Sequence, residues 1–160
     1  MKKFILFFSI LFVFCSLSGS ALASPPTTEF VVSETTEFLS DGFSITITVI
    51  DNMPISTYAS NFTKSGSKEY TLRNSSGDIL WQFKLNAIFD VNSGVNATCK
   101  STNYSINIVN SSWKNSAASS YASGNQGIGN ATFVRKVLGI TLESRDCQVI
   151  LSCDKNGNLS

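Results

Sequence analysis

Histidine is absent from this 160-residue chain. That absence removes the commonest general base, every Ser–His–Asp or Cys–His arrangement, and most transition-metal sites. Charge is scarce as well. Only 14% of residues are charged, and 12 basic side chains face 11 acidic ones. No basic cluster exists to hold nucleic acid or an anionic membrane surface, so neither is expected as a partner. Helical periodicity is missing throughout: no segment keeps apolar residues at i, i+3, i+4, i+7 over a helical length. After the N-terminal leader there is no second long apolar run, so the mature chain has no expected membrane-spanning segment. No cofactor is expected.

The leader itself is the clearest signal present. Lys2 and Lys3 precede an apolar run from Phe4 to Phe14, interrupted only by Ser9, and Ala21-Leu22-Ala23 follows. A positive start, a short apolar core and a small-x-small end describe a secretory signal peptide over residues 1–23. The run is too short to span a bilayer, which takes about 20 residues. Phe14 before Cys15 is too bulky for a lipoprotein signal. The expected location is therefore secreted and extracellular, where thiols oxidise. Removing residues 1–23 from the 160 leaves 137, one domain's worth. It also leaves 10 basic against 11 acidic residues.

Residues 24–62 read as a Ser/Thr/Pro/Glu-rich leader with one or two strands. Within it, Phe43-Ser44-Ile45-Thr46-Ile47-Thr48-Val49 alternates apolar and hydroxyl residues, the pattern of a strand with one wet face. Asp51 to Gly66 lacks periodicity and reads as a linker. Residues 63–160 then read as the core domain. Tyr70 and Leu72 share a face, Asn74-Ser75-Ser76-Gly77 makes a turn, and Ile79, Trp81, Phe83, Leu85, Ala87 and Phe89 line one face of the strongest strand. Tyr104, Ile106 and Ile108 alternate. Ser116 to Gly129 is small and polar, a loop or weak edge strand. Two further strands close the chain, bent near Gly139. The fold class expected is all-β: a two-sheet antiparallel β-sandwich, loosely immunoglobulin-like. Its expected core is Tyr70, Leu72, Trp81, Phe83, Leu85, Phe89, Ile106, Ile108, Val149 and Leu151.

Three cysteines remain after the leader: Cys99, Cys147 and Cys153. At most one internal bridge can form. Cys147 and Cys153 share one strand face, roughly 20 Å apart along it at strand rise. Bridged Cα atoms lie within about 7 Å, so the bridge runs from Cys99 to one of them. Cys153 is the chosen partner, because Cys147 follows the turn-like Ser144-Arg145-Asp146. Closing that loop is worth roughly 4 kcal/mol in the chain-entropy model. Cys147 is left over. With no histidine, and with Asp146 beside Arg145, it reads as a buried inert thiol rather than a nucleophile.

Other constellations are weaker. Glu69 and Glu143 are the acids left for a carboxylate hydrolase, but no spacing ties them together. Asp154-x-Asn156-Gly157-Asn158 begins like a calcium loop and lacks the Glu at its twelfth position, so it reads as a C-terminal turn. Trp113, between Ser112 and Lys114, is a candidate sugar-stacking platform together with Tyr121.

From about residue 63 to 160 the chain resembles a group of small secreted proteins of Gram-positive gut bacteria. Ser65-Gly66-Ser67-Lys68, Asn74-Ser75-Ser76-Gly77, Ile79-Leu80-Trp81, Cys99, Ser112-Trp113, Leu138-Gly139 and the ending from Leu151 to Ser160 carry the resemblance. It implies a Cys99–Cys153 pair, with Cys147 as a departure, and it implies no activity. The functional expectation is a secreted, non-enzymatic extracellular binding module for a glycan or protein ligand. The alternative is a secreted membrane-active toxin or bacteriocin-like effector, for which Leu80 and Ile88 would expose an apolar stripe. A carboxylate hydrolase comes third.

Overall fold

The computed structural model describes residues 29–52 and 60–160, so the signal peptide expected over residues 1–23 lies outside the described residues. Among the described residues eight strands make two antiparallel sheets, and none is helical. Strands β1 (Phe30–Phe38), β2 (Ser44–Asp51), β3 (Asn61–Arg73), β4 (Ile79–Asn92) and β5 (Asn96–Ile108) form the larger sheet in that order. Strands β6 (Trp113–Ser123), β7 (Gln126–Val137) and β8 (Ile140–Ser152) form the smaller one. The all-β sandwich agrees with the sequence pattern. Its wiring is plainer than that of an immunoglobulin domain: within each sheet every strand pairs with its sequence neighbours, and the chain changes sheet once, between β5 and β6, with no Greek-key crossing. Tight turns allow this. Asn74 Oδ1 accepts the amides of Ser76 and Asp78 at 3.0 and 2.9 Å, closing the β3–β4 turn. Leu138 and Gly139 both hold positive φ, at 49° and 82°, and so reverse the β7–β8 hairpin in two residues.

The expected boundary between residues 62 and 63 falls inside β3, and the expected linker gives way to strand from Asn61. Strand β2 belongs to the sandwich, because Ile45 and Val49 are buried in the common core. Strand β1 caps the edge and is exposed on both faces. The smaller sheet packs mainly over β3, β4 and β5, and its Arg145 reaches beyond them to Asp41 and the Phe43 ring beside β2.

The core centres on Trp81. Its ring stacks on Phe133 of the opposite sheet, centroids 3.8 Å apart and planes within 8°. Tyr70 lies on its other side at 6.2 Å, and Trp113 meets it edge-on at 6.3 Å. Leu72, Phe83, Leu85, Phe89, Val149 and Leu151 are buried as expected. Tyr70 and Ile106 are only partly buried, and Ile108 is exposed. Ile108 is the last residue of β5, on the edge strand of the larger sheet.

Close approach of the sheets requires glycine on β7. A Cβ on Gly129 would lie 2.8 Å from Phe83 Cε1, and one on Gly127 would lie 2.9 Å from Ala87 Cβ. Small inward residues on β7 thus let the ring of Phe83 fill the gap between the sheets.

Candidate functional site

The smaller sheet turns its outer face to solvent, and strand register assembles a polar face with one aromatic there. Tyr121 lies opposite Ile128, which lies opposite Ile150. One step along, Ser119, Asn130 and Gln148 form the next outward row, and Ala117, Thr132 and Asp146 the one after. A shallow trough of about 580 Å³ runs between these two polar rows, floored by Ala118, Ala131 and Cys147. Gln148 Nε2 donates to Asn130 Oδ1 at 3.0 Å, and Thr132 Oγ1 donates to Asp146 Oδ1 at 2.7 Å. These pairs hold the amides and the carboxylate in place while leaving further lone pairs and N–H groups open to solvent. The Tyr121 ring is 50% exposed at one end of the face.

Trp113 is not part of that face. It is 2% exposed and sits in the core against Trp81. Trp113 and Tyr121 share parity in sequence, and a regular strand would point both the same way. A bulge between Asn115 and Ala117 breaks the parity. Asn115 Nδ2 secures the bulge by donating to the carbonyls of Ala117 and Thr132 at 2.8 and 3.1 Å. The platform expected from Trp113 and Tyr121 therefore reduces to Tyr121, joined by residues the sequence did not single out: Asn130, Thr132, Asp146 and Gln148. Their one signal was outward parity beside the inward Gly129, Ala131 and Phe133.

The other candidates separate. Glu69 faces outward on the larger sheet and accepts from Gln82 Nε2 at 2.7 Å and Thr71 Oγ1 at 3.1 Å. Glu143 lies on the smaller sheet, ion-paired with Arg145 and Arg135. Different sheets and different partners keep the two acids from converging on one substrate. Leu80 is buried, because a bulge at the start of β4 turns it inward, while Ile88 is 40% exposed. The apolar stripe expected from this pair is therefore interrupted. Asp154 Oδ1 accepts the amides of Asn156 and Asn158 at 2.8 and 2.9 Å, which closes the expected C-terminal turn. No cluster of three His, Cys, Asp or Glu able to hold a metal occurs among the described residues.

The three described cysteines, Cys99, Cys147 and Cys153, are buried and unbridged in the structure, so the expected Cys99–Cys153 bond is not formed there. Its two members nonetheless flank one turn. Cys99 donates its amide to Gly124 O at 2.8 Å and Cys153 donates its amide to Asn125 O at 3.0 Å. Burial pushes the Cys147 thiol up to about 12. Burial, followed by the Asp154 carboxylate, pushes the Cys153 thiol up to about 11. Burial raises Cys99 as well. Protonated thiols at neutral pH are poor nucleophiles. No helix among the described residues is long and apolar enough to cross a membrane. Comparison of the chain with protein-family models, with curated proteins and with solved structures finds no match in any of the three.

Proposed function

We propose that this chain is an exported, non-enzymatic binding module whose ligand is a glycan, held on the outer face of β6, β7 and β8. The observation that carries the reading is the half-exposed Tyr121 ring beside the row of Asn130 and Gln148. A sugar ring has an apolar C–H face and a rim of hydroxyls. An aromatic ring covers the first, and fixed amides and carboxylates bond the second. Ile128 and Ile150 widen the apolar strip next to the tyrosine. Calorimetry of the purified chain against a panel of soluble polysaccharides tests this. At least one should bind, and Tyr121→Ala should weaken it about tenfold, equal to about 1.4 kcal/mol, with folding stability unchanged. An unaffected Tyr121→Ala protein would move the site elsewhere, and a panel with no binder would end the glycan reading.

Export carries a second expectation. The leader sends the chain to an oxidising exterior, where Cys99 and Cys153 give up two protons and two electrons to dioxygen or a disulfide donor and join. Non-reducing peptide mapping of protein recovered from the medium should link Cys99 to Cys153 and leave Cys147 alone. A Cys147–Cys153 link within one chain is the contrary result. The β7–β8 hairpin tip favours the effector reading as a second possibility: Leu138 is 98% exposed, with Ile140 and Leu142 exposed beside it. Sedimentation of the chain with lipid vesicles separates that reading from a glycan module.

A further inference from the structure

Lysine is almost never fully buried without a partner. Lys64 is 1% exposed, among the most deeply enclosed side chains of the protein. It points between the sheets from β3, opposite the fully buried Phe89 of β4. Asp51 ends β2 on the same inner face and forms an ion pair with it. Register explains the meeting. Asp51 lies opposite Gly66, two residues along β3 from Lys64. Gly66 puts no side chain of its own between Lys64 and Asp51. The room a Cβ would need there is taken by Leu159, 2.2 Å away, and Ile50 O, 2.8 Å away. The buried Cys153 thiol lies near enough to sense both charges.

From this arrangement we infer that Lys64 and Asp51 condense into an intramolecular isopeptide bond that welds β2 to β3. The interior supplies the drive. Enclosing two charges costs solvation energy that their attraction often fails to return. In the proposed step one proton passes from the ammonium to the carboxylate as the nitrogen closes on Cγ. The amine nitrogen attacks Cγ of Asp51, a C–N bond forms and the C–O bond to the acid hydroxyl breaks. That hydroxyl departs with one amine proton as water. The product is a neutral secondary amide, and no oxidant, reductant or cofactor enters the balance. Fixing both groups in one site replaces a second-order encounter, an advantage that reaches about 10⁵–10⁸ M in effective concentration for well-aligned pairs. The Asp51 side chain keeps 19% of its surface exposed, which gives the released water an exit.

Chymotryptic mapping of the unfolded full chain tests the bond, because cleavage after Phe62 divides residue 51 from residue 64. The expected product is a branched peptide, one water lighter than its two linear parts, joined between Lys64 Nζ and Asp51 Cγ. Asp51→Asn removes the carboxylate that takes the ammonium proton, so it should yield linear peptides only. Lys64→Arg should give only linear peptides. Linear peptides from the wild-type chain, showing an ordinary ion pair, overturn the inference. So does a water loss mapped to any other residue. The wild-type map decides even where a variant fails to fold.

Discussion

Trp81→Ala is expected to lower the unfolding free energy by about 3–5 kcal/mol, the range for removing a large aromatic from a packed core. The effect is large because one ring serves three partners. It stacks on Phe133 across the sandwich, lies beside Tyr70 on its own sheet and takes the edge of Trp113. Deleting it opens a void that neither sheet can close without pulling its strands inward. Net stability of a single domain is about 5–15 kcal/mol, so this substitution removes a large fraction of the total. Urea unfolding followed by fluorescence checks it, with Trp113 as the remaining indole of two in the chain. Trp81→Phe should lose less than half as much, because it keeps a ring on Phe133. The indole Nε1 is buried and makes no hydrogen bond among the described residues, so phenylalanine sacrifices no polar contact there. A Trp81→Ala loss below about 1 kcal/mol would show that the two sheets are not held through this stack.

Gly129→Val should be the next most damaging change, at about 3 kcal/mol, the upper end for overpacking a core. Even the first added carbon would sit 2.8 Å from Phe83 Cε1 and 3.2 Å from Leu85 Cδ1. Both neighbours are fully buried and cannot swing aside. The cause can be isolated. Phe83→Leu clears the obstructing ring, so the double variant should be more stable than the sum of the two single losses predicts, by at least about 0.5 kcal/mol in a double-mutant cycle. Strict additivity would mean that Gly129 acts through backbone freedom and not through the space beneath it.

Much of the fold was legible where a strand has one apolar face. Strand β4 reads directly from Trp81, Phe83, Leu85 and Phe89, and β2 from Ile45, Ile47 and Val49. The expected bend at Gly139 is the β7–β8 turn. Legibility failed where the buried face is not apolar. Strand β3 begins at Asn61, but its inward residues there include Lys64 and Gly66, and neither looks like core in a sequence. On β7 the inward residues are Gly127, Gly129 and Ala131, so the alternation is present without being hydrophobic. Strand β6 offers Ser and Ala on both sides. The candidate site was half legible for a different reason. Tyr121 stands out as an aromatic in a polar stretch, whereas Trp113 looked equivalent until the bulge at Ser116 reversed the parity. Bulges at Leu80 and Ser116 each insert one residue, and no propensity marks them. Asn130 and Gln148 are 18 residues apart, and only the pairing of β7 with β8 makes them neighbours.

The sequential pairing of strands within each sheet bears on how the chain comes together in time. Each sheet pairs only strands adjacent in the chain, separated by at most nine residues, so little loop entropy opposes any single step. Folding speed falls as contacts grow more distant along the chain. A chain wired this way is expected to fold fast for an all-β protein. The first five strands can zip into a sheet before the last three are available, and the slow event is the docking of two finished halves around Trp81 and Phe133.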